Sequence, residues 1–170
     1  TYFILFGSLG VAMYAQREIA YVQDDEKKRS KLFWEIFFFR CITMAISIIA
    51  FYFTYASHGE YQLYYKILII QLFANVLDIS WFFQGLEEFK KTVTRNLLVK
   101  ILSVISIFIF VKTQEDLWIY FVIFVLSILL GNISLWVYLP KYIVKLKGEK
   151  LQIFSHLKPT IGLFIPQIAI

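Results

Sequence analysis

The sequence predicts an all-α protein, a polytopic bundle of transmembrane helices, and three observations carry that expectation. Hydrophobic residues make up 59% of the 170 residues and charged residues only 17%, against roughly a quarter charged in a soluble domain. A domain of this length leaves much of its surface exposed and cannot hide that excess from water, whereas lipid accepts it. Apolar runs long enough to cross a bilayer recur four times, and the basic residues gather in alternate gaps between those runs.

The chain opens on an apolar stretch, Thr1-Tyr2-Phe3-Ile4-Leu5-Phe6, with no initiator Met and no basic residues before it. It therefore reads as the end of a span and not as a signal peptide. A spanning helix needs about 20 mostly apolar residues, and residues 32–56, 61–86, 93–111 and 117–139 supply them. The third run is the weakest, because Arg95 and Lys100 fall in its first turns and have to snorkel toward the headgroups. Residues 140–159 are polar and basic, and the apolar run from 160 to 170 is too short to span. The expectation is an internal piece of a longer membrane protein, with four complete helices between two incomplete ones.

The 17 basic residues can be placed against this frame. Thirteen occupy three alternate connections: Arg17, Lys27, Lys28, Arg29 and Lys31 before the first full span; Lys90, Lys91 and Arg95 after the second; Lys141, Lys145, Lys147, Lys150 and Lys158 after the fourth. The intervening gaps, around Ser57-His58-Gly59-Glu60 and Thr113-Gln114-Glu115-Asp116, hold only Lys112. By the positive-inside rule the thirteen-residue side faces the cytoplasm. Trp34 and Trp136 near the inner ends and Trp118 near an outer end suit interfacial belts. The net charge of +5 is thereby explained by orientation and attraction to anionic membrane lipids, with no nucleic-acid partner.

Little in the chain points to covalent chemistry. A single cysteine, Cys41, and two separated histidines, His58 and His156, make a metal cluster improbable, and both histidines fall in connections, at the surface or interface. No Gly-rich phosphate loop, HExxH or GxSxG pattern occurs, so neither a metal nor a cofactor is expected.

Ionisable groups within spans are costly and count as functional candidates. Arg40, Lys66 and Lys100 are the basic ones, and Asp78 is the one acid well inside a run. Arg40 and Asp78 each lie eight residues from the expected inner end of their runs, about 12 Å deep, so they can meet. Each sits on a polar face at helical spacing: Arg40, Thr43 and Ser47 on one helix, Gln71, Asn75 and Asp78 on the next, with Gly85 a heptad further. Those faces should point into the bundle or a wet cavity. An ion pair that only holds helices together fits the same pattern. Lys100 with Ser103 forms a weaker version in which snorkelling competes with a ligand role, and Lys66 snorkels outward. Ser127, Gly131 and Ser134 have the spacing for close helix contact. Two classes fit these residues equally, a transporter of a polar or anionic solute and a membrane enzyme acting on a lipid-linked substrate.

The stretch Asn75-Val76-Leu77-Asp78-Ile79-Ser80-Trp81-Phe82-Phe83-Gln84-Gly85-Leu86-Glu87-Glu88-Phe89 resembles the signature of bacterial polysaccharide flippases, the oligosaccharide exporters of the multidrug/oligosaccharidyl-lipid/polysaccharide superfamily. Residues 14–25, Arg95-Asn96 with Lys100, 108–112, 135–142, His156-Leu157-Lys158-Pro159-Thr160 and 163–167 look like further family blocks in family order. The resemblance implies a MATE-like transporter of 12–14 helices in two halves. Residues 1–139 would be part of the N-terminal bundle, from the end of helix two to helix six; 140–159 the cytoplasmic connection between halves; and 160–170 the start of helix seven. It further implies a non-enzymatic flippase of the cytoplasmic membrane for O-antigen, capsular or related polymers. Its partners would be an undecaprenyl-diphosphate-linked oligosaccharide and polysaccharide assembly proteins. Arg40, Asp78, Asn75, Gln71 and Lys100 are then the candidate substrate-binding residues, cations toward diphosphate and amides toward sugar. The rival readings are a cation-coupled multidrug exporter of the same superfamily and a membrane polymerase or ligase acting on lipid-linked sugars.

Overall fold

The computed structural model describes residues 2–8, 10–56, 61–146 and 148–168, and among them all regular structure is helical. Two short helices, α1 (Tyr2–Ser8) and α2 (Val11–Tyr21), meet at Gly10, whose φ of 71° turns the chain between them. Helix α3 (Glu26–Phe51) runs on into a π-helical turn at Tyr52–Ala56. It starts earlier than the apolar run because Asp25 caps it, its Oδ1 accepting from the backbone N–H groups of Lys27 (3.1 Å) and Lys28 (3.0 Å). Lys27 to Lys31 therefore form its first turns. Residues 57–60, with His58, lie outside the described residues, as does Lys147.

The second apolar run is not one helix. Helix α4 (Gln62–Val76) stops, residues 77–79 leave the helical path, and α5 (Ser80–Gly85) restarts it. Helix α6 (Phe89–Phe110) begins four residues before the apolar run that predicts it. A 3₁₀ turn at Gln114–Asp116 leads into α7 (Leu117–Trp136), and after a connection with two further 3₁₀ turns comes α8 (Leu157–Ile168). Four stretches are long and apolar enough to cross a membrane: Glu26–Tyr55, Gln62–Gly85, Phe89–Phe110 and Gln114–Lys141.

The main core lies toward the basic end. Phe33, Ile36 and Phe39 of α3 pack with Ile79, Trp81, Phe82 and Phe83 around the restart of the broken span, and with Val11, Ala15 and Ile19 of α2. Gly85 lets α5 and α2 approach: a Cβ there would lie 2.7 Å from the Gln16 carbonyl oxygen and 2.8 Å from Ile19 Cβ. A smaller cluster, Met44, Phe51, Leu72 and Val76, joins α3 to α4. Helix α6 is different, since its most apolar window is entirely unburied.

The connection after α7 folds back on the bundle. Arg29 Nε and Nη2 donate to the Tyr142 carbonyl (3.0 and 2.7 Å), and Nη1 donates to that of Gln23. The Tyr142 hydroxyl accepts from Lys91 Nζ (2.6 Å) and donates to Glu88 Oε1 (2.7 Å), while Lys31 pairs with Glu149 at 3.7 Å. The basic connections thus share one end of the molecule.

This folding back corrects the expectation for His156, which is buried rather than at a surface or interface. Its Nδ1 lies 2.9 Å from the Tyr14 hydroxyl and its Nε2 3.2 Å from Glu35 Oε2; Glu35 is buried too, and its Oε1 accepts from the Gln152 backbone N–H at 2.7 Å. Asp78 is accordingly not the one acid held inside the helical frame.

Candidate functional site

Arg40 projects from the middle of α3 and is 4% exposed. Its Nη2 stands 4.0 Å from Asp78 Oδ2, and its Nε and Nη1 have no hydrogen-bond partner among the described residues. The two ionisable groups matched by depth therefore meet. The rest of the α3 polar face turns into the bundle: Thr43 Oγ1 donates to the Gly7 carbonyl (2.7 Å) and Ser47 Oγ to that of Phe3 (2.5 Å), and both residues border a groove of about 350 Å³ with the apolar Phe3, Phe6, Ile46 and Ala50. These hydroxyls fasten α1 to α3.

Asp78 owes its position to the helix break. Its Oδ1 accepts from the Ser80 N–H at 3.0 Å, an Asx turn two residues on that fixes the carboxylate just before α5. The expected stripe does not continue to Gly85, because the break rotates α5 out of register and Gly85 faces α2. Asn75 Nδ2 donates to the Gln71 carbonyl one turn earlier (2.8 Å), and both residues are half-buried.

A helix that ends inside a bundle leaves carbonyls without intrahelical donors. Here α7 supplies two side chains one turn apart. Asn132 Nδ2 donates to the Ala74 carbonyl (2.7 Å) and Trp136 Nε1 to the Leu77 carbonyl (2.8 Å). Trp136 is thus a cap for the broken span in addition to its place near the helix end. Asn132 Oδ1 in turn accepts from Arg95 Nη1 at 2.6 Å.

Arg95 and Lys100 line a cavity of about 390 Å³ between α6 and α7, with Asn96, Ser103, Ser127 and Asn132. Such a volume is within the roughly 300–1,000 Å³ common for small-molecule sites. Because α6 starts at Phe89, Lys100 is eleven residues along it, about 16 Å from that end. Of the five candidate residues, Lys100 lines this cavity, whereas Arg40, Asp78, Asn75 and Gln71 do not. Arg95 and Asn132 were missing from that set. Their signal in the sequence was present but weak: an Arg in the first turns of an apolar run, and an Asn between Gly131 and Ile133 in the most apolar helix.

Chemically, the arrangement offers cationic N–H donors and amides, with one carboxylate, Asp78, beside Arg40. Cys41 is half-buried, and no group of three or more His, Cys, Asp or Glu stands together among the described residues.

A family model described as polysaccharide biosynthesis protein matches residues 1–168. Two relatives bear the name "Putative O-antigen transporter". One, from Escherichia coli (strain K12), is 27% identical over 119 residues, covering 68% of this chain and 29% of that protein. The other, from Shigella dysenteriae, is 40% identical over 60 residues, covering 34% of this chain and 15% of that protein. The matches span less than a third of either relative. No solved structure matches the chain significantly.

Proposed function

Because the chain belongs to the polysaccharide biosynthesis protein family, we propose that it forms part of a flippase carrying an undecaprenyl-diphosphate-linked oligosaccharide from the inner to the outer leaflet of the cytoplasmic membrane. The observation that carries this reading is the placement of cationic groups deep along apolar helices: Arg40 paired with Asp78, and Lys100 in the polar cavity between α6 and α7. Ionisable groups at such depth mark substrate pathways more often than lipid-facing surface.

In this reading Arg40 attracts the diphosphate, with Lys100 as a weaker helper, and Asp78 holds Arg40 in place. The amides of Gln71 and Asn75 face sugar hydroxyls. Translocation needs no covalent step; rocking of two halves would expose the site to each side in turn. The names of the relatives agree with export of a polymer precursor.

The test uses the full-length protein in a strain lacking it, with surface polymer as the readout. Arg40→Ala at unchanged membrane abundance abolishes export; normal export overturns the assignment. Recovery of export by exchanging Arg40 and Asp78 marks the pair as structural only. Drug sensitivity on deletion without polymer loss instead supports the multidrug exporter.

A further inference from the structure

We infer that Arg95, oriented by Asn132, is the group that grips the phosphate of a membrane-borne phosphate ester in the cavity between α6 and α7. The inference rests on the flippase reading for the identity of the molecule bearing the phosphate, and not for the site itself.

Three independent features of the site converge. Asn132 is 5% exposed and anchored at both ends of its amide, by the Ala74 carbonyl and by Arg95 Nη1. The amide cannot flip without losing both bonds, so it fixes the plane of the guanidinium. Arg95 Nε is buried without an acceptor, which leaves a planar cation with unmet donor capacity, the condition that bidentate phosphate recognition exploits. Gly131 completes the seat. A Cβ there would lie 3.0 Å from Val99 Cγ2, so the glycine lets α6 come close to α7 one turn beyond Arg95, whose Cδ stands at ordinary contact distance, 3.7 Å.

The cavity continues from Arg95 toward Lys100 and Ser103. Arg95 is six residues and Lys100 eleven along α6, a separation of about 8 Å. A mobile phosphate ester could pass from a guanidinium to an ammonium along one groove. Asn132 is a positioning residue and Arg95 the contact.

The test reads binding to the full-length protein in nanodiscs of zwitterionic lipid, with inorganic pyrophosphate, a polyprenyl diphosphate and phosphatidylglycerol as separate probes. Arg95→Ala is expected to weaken diphosphate binding roughly 10–100-fold, in proportion to a lost charge-assisted hydrogen bond. Arg95→Lys recovers part of it, and Asn132→Ala weakens it several-fold without removing the charge. Arg95→Gln stands in where Arg95→Ala does not fold. Binding of pyrophosphate with neither lipid probe marks a site for free anions and overturns the membrane-borne ligand. Binding of only the polyprenyl diphosphate, or displacement by phosphatidylglycerol, supports a lipid-borne phosphate.

Wild-type protein that binds none of the three, or Arg95 variants that bind as wild type does, overturns the inference even if Arg40 proves essential for export. Conversely, loss of binding in Arg95→Ala together with a wild-type protein that fails to restore polymer export upholds the phosphate site and removes the flippase reading.

Discussion

Asn132 is asked to satisfy more than any other side chain in the apolar α7, because it closes the Ala74 carbonyl and orients Arg95 at once. Replacing it by Ala leaves the buried Ala74 acceptor and the part-buried Arg95 Nη1 without these partners, which costs about 1–3 kcal/mol. The full-length protein carrying Asn132→Ala should therefore unfold at a lower temperature in detergent, while Ser134→Ala, whose hydroxyl donates only to the Gly131 carbonyl of its own helix, should change little. A second residue-scale prediction concerns His156. His156→Phe removes both contacts of the buried ring and leaves Glu35 with only the Gln152 N–H, a loss again of about 1–3 kcal/mol. Proteolysis in the 143–155 connection should accelerate. The Arg40–Asp78 meeting was legible from the sequence because two charges at matched depth on adjacent spans have few other places to go. The burial of His156 was not, since a connection's path over the bundle is set by distant partners such as Arg29 and Tyr142.

At the scale of elements, the broken second span is the central feature. The chain that seems one apolar run of 26 residues is two helices with Asp78 between them, and its stability depends on contacts supplied by α2 and α7. Gly85→Ala drives a methyl into the Gln16 backbone oxygen and should cost about 1–3 kcal/mol, as overpacking does; an unchanged unfolding midpoint would show that α2 moves freely. The start of α3 offers a pH test. Asp25 is held below the ordinary carboxylate range, first by the Lys28 backbone N–H and then by the Lys28 side chain. A depressed carboxyl stabilises the folded state above its unfolded pKa, and that contribution disappears as pH falls through the folded value. Asp25→Asn keeps an acceptor cap without a charge, so its unfolding midpoint should vary less with pH below the ordinary carboxylate range than that of the wild type. Apolar periodicity showed where helices were needed but could not reveal the break, because the unwound residues Leu77 and Ile79 are as hydrophobic as those around them.

At the scale of the whole molecule, two properties belong together. The basic connections gather at one end, and α6 exposes an apolar surface that only lipid or further protein can cover. On the positive-inside rule we propose that the basic end faces the cytoplasm. A cysteine at Glu115 (E115C) in the full-length protein should react with a membrane-impermeant maleimide in intact cells, and one at Lys145 (K145C) only after permeabilisation; the opposite pattern would invert the topology.

Composition and the spacing of charges were enough to determine an all-α membrane protein, its apolar runs and the pair Arg40 and Asp78, because the cost of charge and bare backbone in lipid acts on the sequence directly. Only the tertiary structure decided that the second span breaks at Asp78, that Asn132 and Trp136 cap its loose end, and that Arg95 joins Lys100 in a cavity. Those outcomes depend on which helix stands beside which unsatisfied carbonyl, and that neighbour relation is not written in any single segment of the chain.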